Sequence, residues 1–312
     1  MNTTLLGKTG LNVSKIGLGT VEIGIPYGIG PVSLPSEQEA ITILKTAVEM
    51  GITYIDTARG YGLAEERIGK SNITQNPNVV IGTKCGQFLK NEPTLSPAEL
   101  EQRIREEIDM SRKNLGQEVL QLVQFHNELE DYTDFSAIIE IFQKLQDEQK
   151  ILHAGVAIRG EAAALAALNT GFFETMQVAY SIADQRMAQA VLPQAQTANV
   201  GIINRSVLLK GALTNVREKL HPSLAALQEI SDKAATIAQQ TGMDLPTLAL
   251  RFAISNPAVS TVLIGTTKPH HLQSAIEAAN TGQLAPDILQ ELLPLAISDT
   301  NQIDPAKWPK VD

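Results

Sequence analysis

Along most of the chain, short apolar runs rich in β-branched residues alternate with longer stretches whose apolar positions recur at helical spacing. Strands are predicted near residues 16–20, 52–56, 79–84, 119–125, 152–157, 175–179, 200–204 and 260–264. Helices are predicted near 36–50, 64–70, 97–114, 134–148, 161–168, 185–197, 223–241 and 269–280. Ser36-Glu37-Gln38-Glu39 and Ser96-Pro97-Ala98-Glu99 read as capping boxes, and the second adds proline at the first helical position. Ahead of the first strand, residues 4–6, the turn Gly7-Lys8-Thr9-Gly10 and residues 13–16 read as a hairpin. A further helix near 286–295 leads into an irregular tail at 297–312.

Eight strands alternating with eight helices through mostly short joints predict parallel pairing with crossover connections. The count favours an α/β fold of the (β/α)8 TIM-barrel type, with an N-terminal β-hairpin and a C-terminal extra helix and tail. An open doubly wound sheet fits less well, because no Gly-x-Gly-x-x-Gly turn follows an early strand. No linker interrupts the pattern, so residues 1–312 are read as one domain. The connections at 85–95 and 206–221 are longer than the rest, and in a barrel the loops after the strands build the active face.

Composition narrows the function classes. A net charge of −9 argues against a general affinity for nucleic acid or an anionic membrane surface. No apolar run approaches the ~18–20 residues that span a bilayer. Cys85 is the single cysteine, so no intrachain disulfide forms, and a cytoplasmic location is the default expectation. Cys85 itself is read as a small apolar packing residue.

Three of the strand-like runs stop at ionisable residues. Ile52-Thr53-Tyr54-Ile55 ends at Asp56, with Tyr61 five residues on; Val79 to Thr83 ends at Lys84; Val119 to Phe125 ends at His126. In a parallel sheet these ends share one rim, which brings together a carboxylate, a phenol, an ammonium and an imidazole, the parts of a proton-transfer site. Asp56-Thr57-Ala58-Arg59-Gly60-Tyr61-Gly62 followed by Glu65-Glu66-Arg67-Ile68-Gly69 resembles the aldo-keto reductase family. So do Gly82-Thr83-Lys84, Leu122-Val123-Gln124-Phe125-His126-Asn127 and Gly17-Leu18-Gly19-Thr20, in the same order and spacing.

The resemblance implies an NAD(P)-dependent oxidoreductase in which Asp56, Tyr61, Lys84 and His126 form a catalytic tetrad. Tyr61 would be the general acid or base, Lys84 and Asp56 would tune it, and His126 would orient the substrate oxygen. No metal is implied. Gly19, Thr20 and Val21, together with Gln177, fall at cofactor-binding positions, Gln177 as a contact to the nicotinamide carboxamide. Ser206, Leu208, Lys210 and Gly211 match the segment covering the pyrophosphate. Ile264, Gly265, Thr266, Thr267, Lys268 and His271 match the region around the adenosine-side phosphates. Tyr27, Phe88 and Trp308 are expected, with Val21, to frame the substrate pocket.

The chain departs from the family at several of these positions. Gly155-Val156-Ala157-Ile158-Arg159 lacks the Ser-Asn pair that usually meets the carboxamide, and Arg205 stands where an aromatic residue often stacks on the nicotinamide. Gly265 and His271 occupy positions where NADP users commonly place a Lys and an Arg, leaving Lys268 as the nearest cation. NADP follows the family's habit, while these replacements keep NAD open. They also motivate a competing reading as a nucleotide-binding regulatory module with little turnover. With 4% aromatic residues, a small aldehyde, sugar or hydroxy-carbonyl suits the pocket better than a steroid.

Overall fold

The computed structural model describes residues 2–29, 32–127 and 129–309. A two-stranded antiparallel hairpin, β1 (Thr3–Leu5) and β2 (Asn12–Ser14), opens the chain. Eight parallel strands then close into a barrel: β3 (Ile16–Gly19), β4 (Tyr54–Asp56), β5 (Val80–Cys85), β6 (Leu120–His126), β7 (Ile151–Ala157), β8 (Thr175–Ala179), β9 (Gly201–Arg205) and β10 (Val259–Gly265). Neighbours in sequence are neighbours in the barrel, and β10 returns to β3 with Gly265 opposite Gly19. All eight predicted strands are present within a few residues of their expected limits, and the hairpin lies one to two residues earlier than predicted.

The connecting helices are α1 (Glu37–Glu49), α2 (Ala64–Ser71), α3 (Pro97–Leu115), α4 (Ser136–Asp147), α5 (Glu161–Asn169), α6 (Val191–Thr197), α7 (Ala225–Gln240), α8 (Leu245–Ser255) and α9 (Pro269–Thr281). Both capping boxes form, at Ser36 with Glu39 and at Ser96 with Glu99. No helix among the described residues is long and apolar enough to cross a membrane.

Three helical expectations are corrected. Helix α8 was not anticipated, because seven of its residues, among them Leu245, Leu250 and Phe252, are buried and leave no one-sided stripe to recognise. Its start was nonetheless signalled, since the Asp244 side chain accepts from Thr247 N at 2.8 Å and a proline follows in the first turn. Helix α6 begins at Val191 rather than near 185, because Asp184 ties down the preceding loop through Ser181 and Arg186. The tail contains a short helix, α11 (Thr300–Ile303), after α10 (Pro286–Leu292); Asp299 caps it and Ile303 is buried.

The barrel interior is layered. At its base Leu6 and Val13 of the hairpin region pack with Tyr54, Val80, Leu122, Ile203 and Leu263, so the hairpin stoppers the N-terminal mouth. Inside, the alternating strands β4, β6, β8 and β10 contribute Tyr54, Gln124, Thr175 and Thr261, all buried. The intervening strands make room with glycine. A Cβ on Gly82 would lie 2.2 Å from the Tyr54 hydroxyl, one on Gly155 2.1 Å from Thr175 Oγ1, and one on Gly17 3.2 Å from Thr261 Oγ1. One step further along each strand on the same face stand Asp56, Lys84, His126 and Gln177. Gly82→Ala is expected to destabilise the fold by ~1–3 kcal/mol through overpacking. Adding Tyr54→Phe should restore part of that loss, and additive effects in denaturant unfolding would refute the proposed contact.

Candidate active site

Asp56 closes β4 and Lys84 lies near the end of β5, with Asp56 paired to Gly82 in register, so both side chains enter the barrel mouth side by side. The Lys84 side chain is fully buried, and its ammonium donates to Asp56 Oδ2 at 2.6 Å, Thr57 O at 2.9 Å and Tyr61 Oη at 3.4 Å. The cation also lies 4.9 Å from the centroid of the Tyr61 ring. The chain leaving β4 is stitched to β5 by Thr57 N donating to Gly82 O and Arg59 N donating to Lys84 O, which fixes the turn carrying Tyr61. His126 ends β6 and meets Tyr61 edge to face at 6.2 Å between ring centroids. The four residues expected at one rim therefore share one site.

Gln177 has a partner within the site that was not expected. Its Nε2 donates to Asp56 Oδ1 at 2.6 Å, from the opposite side of the barrel. Asp56 thus has each oxygen engaged, one by an ammonium and one by an amide. That bond uses one of the two N–H groups of the Gln177 amide, and Gln177 also lines the cleft above the site.

Behind the site sits a second buried carboxylate that sequence reasoning did not single out. Glu65, on α2, accepts from Thr83 Oγ1 of β5 at 2.7 Å and Ser111 Oγ of α3 at 2.6 Å, and forms an ion pair with Arg59. It locks α2 and α3 onto β5 at the level of Lys84. Glu65→Ala is expected to lower stability by ~3 kcal/mol, because it strips the acceptor from buried hydroxyls and from Arg59. A change below about 0.5 kcal/mol in chemical denaturation would show that the network carries no load.

A cleft of about 770 Å³ opens above these groups. Asp56, Tyr61 and His126 line it, together with every residue expected at the cofactor: Gly19, Thr20 and Val21 after β3, Gln177 of β8, Arg205, Ser206, Leu208, Lys210 and Gly211 after β9, and Ile264 to Lys268 with His271 after β10. Tyr27 lines it too, with the Lys210 ammonium 5.2 Å from its ring centroid. Burial and the nearby Glu22 and Tyr61 push the Tyr27 phenol up to about 12, against the pull of Arg205 and Arg159. Phe88 and Trp308 do not line the cleft. Phe88 is covered by the Arg103 guanidinium at 4.7 Å, and Trp308 Nε1 donates to Gln302 O within the C-terminal segment.

The remaining cofactor candidates have specific surroundings. Arg205 donates to Ser206 Oγ and Ile158 O, each at 3.2 Å, which ties it to the residue that follows β7. Ser206, Leu209 and Lys210 all take positive φ, 61°, 44° and 55°, so the loop after β9 bends sharply across the cleft. His271 Nδ1 is hydrogen-bonded to Thr266 Oγ1 at 2.9 Å, and burial with His270 and Lys268 nearby lowers its pKa. Glu22, also unanticipated, lines the cleft directly after the Gly17-Leu18-Gly19-Thr20 motif. Burial raises its carboxyl to about 7, against its own backbone N–H.

Residues 15–293 match the model of the aldo/keto reductase family. The chain belongs to the aldo/keto reductase family. Among its relatives in this family are L-galactose dehydrogenase of Arabidopsis thaliana, 27% identical over 88% of this chain and 86% of that protein, and D-threo-aldose 1-dehydrogenase of a Pseudomonas species, 26% identical over 86% and 90%. The NADH-specific methylglyoxal reductase of Escherichia coli is 26% identical over 88% of this chain and 91% of that one. A solved aldo-keto reductase from Bacillus halodurans, in a holo form, shares the fold with a TM-score of 0.78, at 23% identity over 96% and 97% of the two chains.

Proposed function

We propose that this aldo/keto reductase is a nicotinamide-dependent enzyme that interconverts a carbonyl and an alcohol on a small-molecule substrate, with Tyr61 as its proton donor and acceptor. The family and the named activities of its relatives support carbonyl–alcohol oxidoreduction. The observation that carries the assignment is the buried Lys84 ammonium held between Asp56 and the Tyr61 hydroxyl.

A free phenol releases its proton near ~10 and is a poor base at neutral pH. An adjacent ammonium stabilises the phenolate and eases proton transfer in both directions. Asp56 pairs with that ammonium in a buried setting, and the Gln177 amide keeps Asp56 aimed at it. His126, beside Tyr61, is positioned to orient the carbonyl oxygen for protonation.

The cleft fits a dinucleotide in size, and Thr266 and Thr267 precede the N-terminus of the thirteen-residue α9, a setting suited to a diphosphate. Bound there, a nicotinamide supplies or takes up the hydride. Arg205, Ser206 and Lys210 would hold it from the β9 side, and Gly19 to Val21 from the β3 side. Ala157 and Ile158 offer no side-chain donor to the carboxamide, which leaves that contact to Gln177, to backbone and to Arg205. Relatives named for L-galactose, threo-aldoses and methylglyoxal favour a small aldehyde or hydroxy-carbonyl as substrate.

Nicotinamide fluorescence during titration with NADH and NADPH tests cofactor binding, and failure of both to bind would remove the nicotinamide reading. Tyr61→Phe is expected to lower turnover of a test aldehyde by roughly 10²–10⁴-fold while cofactor affinity stays within about twofold. Turnover within about threefold of wild type would remove Tyr61 from the acid role. Tight binding with no turnover over a panel of small aldehydes and sugars would favour the regulatory-module alternative.

A further inference from the structure

We propose that Glu22 selects the cofactor, accepting from a ribose diol of the dinucleotide and making this protein prefer NAD(H) over NADP(H). The proposal rests on the nicotinamide-dependent reading above. Glu22 sits in a short turn after β3 that is held from beneath, with Arg67 Nη1 donating to Ile23 O at 2.7 Å and Thr20 Oγ1 donating to Asp56 O at 2.8 Å. The carboxyl lines the cleft, yet its Oε2 is sealed from solvent and finds no hydrogen-bond donor among the described residues. Among the described residues no Lys, Arg or His forms an ion pair with it, in contrast with Asp56 and Glu65. An Oε2 without a donor disfavours the ionised form, so a ligand that brings a hydroxyl donor to it favours the carboxylate and gains a charge-assisted hydrogen bond.

The other side of this pocket is shaped to receive that carboxyl. A Cβ on Gly265 would stand 2.0 Å from Glu22 Oε1 and 2.4 Å from Oε2. Gly265 does not take a left-handed backbone conformation, so what its missing side chain provides is space for Glu22. The segment from Gly265 to His271 is also poorly equipped to hold a phosphate monoester. His271 has Nδ1 bonded to Thr266 and a lowered pKa, which leaves it neutral at pH 7, and Lys210 lies over Tyr27. Lys268 is the cation of this segment among the described residues. A 2′-phosphate carries roughly −1.5 to −2 charges at pH 7, and in this setting it would replace a hydroxyl donor with an anion that either repels the ionised Glu22 or holds it protonated. Carboxylates that read a ribose diol and disfavour its phosphate are a general solution in dinucleotide sites.

The test is direct binding of NADH and NADPH, followed by nicotinamide fluorescence, to wild type, Glu22→Gln and Gly265→Ala, with thermal unfolding as a check on folding. Wild type is expected to bind NADH at least about tenfold more tightly than NADPH, a difference of ~1.4 kcal/mol. Glu22→Gln should shrink that ratio to about threefold or less, chiefly by improving NADPH. Gly265→Ala should shrink it in the same direction, because the added methyl displaces the Glu22 carboxyl. Equal affinities in wild type, or a ratio unchanged in Glu22→Gln, would overturn the assignment while leaving the oxidoreductase reading intact. An equal loss of both nucleotides in Glu22→Gln would mean that Glu22 grips a sugar common to both and does not discriminate. Binding of neither nucleotide by wild type would overturn this inference together with the reading beneath it.

Discussion

A lysine and an aspartate buried together at the mouth of the barrel constrain the rest of the structure. Taking either charge out of water costs several kcal/mol, and only close, multiply bonded geometry offsets that cost. Lys84 meets the requirement with three acceptors, and Asp56 meets it with the ammonium on one oxygen and the Gln177 amide on the other. These partners come from β4, β5, β8 and the turn after β4, so the pair is satisfied only when the barrel is closed and in register. A slip of one residue in β4 or β5 would turn Asp56 or Lys84 towards the helices and leave its partner as an unpaired buried charge. The same contacts that hold the proposed proton-transfer group thus penalise misregistered barrels.

The layer below supports this arrangement by an uncommon choice of residues. Barrel interiors are usually filled with bulky aliphatic side chains. Here Tyr54, Gln124, Thr175 and Thr261 alternate with Gly17, Gly82 and Gly155, so large polar side chains fit against bare backbone. Tyr54 lies one step below Asp56 on β4, and Gly82 one step below Lys84 on β5. The tyrosine ring fills the space under the ion pair that a side chain on β5 would otherwise occupy. On the outside of the barrel, Glu65 with Thr83, Ser111 and Arg59 holds the same level from the helical side. The pair is therefore braced from below and from behind.

Much of this was legible in the sequence, for identifiable reasons. The strands of a closed parallel barrel are short, apolar and separated by helices, and their ends are marked by the residues that enter the mouth. That is why Asp56, Lys84 and His126 could be placed on one rim, and why the segments after β3, β9 and β10 could be assigned to one cleft. What the sequence withheld depends on side-chain direction across long separations. Gln177 bonds a carboxylate 121 residues away, and Glu65 bonds Ser111 of another helix, so neither partnership leaves a local pattern. Phe88 and Trp308 lie in segments near the active face, but their rings turn to Arg103 and to the C-terminal segment. Helix α8 failed to register because burial all round erases the periodicity by which helices are recognised.

The two halves of the rim differ in how completely their polar groups are satisfied. On β4 to β6 the ionisable groups bond to one another, and their geometry is set before any ligand arrives, as electrostatic preorganisation requires. On β9, β10 and β3, Arg205 is held by neutral acceptors, Glu22 Oε2 has no donor among the described residues, and the loop after β9 keeps three non-glycine residues at positive φ. The undonated oxygen and each strained residue are local costs of order 1–3 kcal/mol that the rest of the fold must carry. A ligand bound to this half can relieve such costs, and whatever binds the folded state alone also stabilises it. The division suits the chemistry proposed for each side. A proton-transfer group must hold its pKa whether or not substrate is present, whereas a surface that captures and releases a carrier on every turnover works best when its polar groups are completed by the carrier itself.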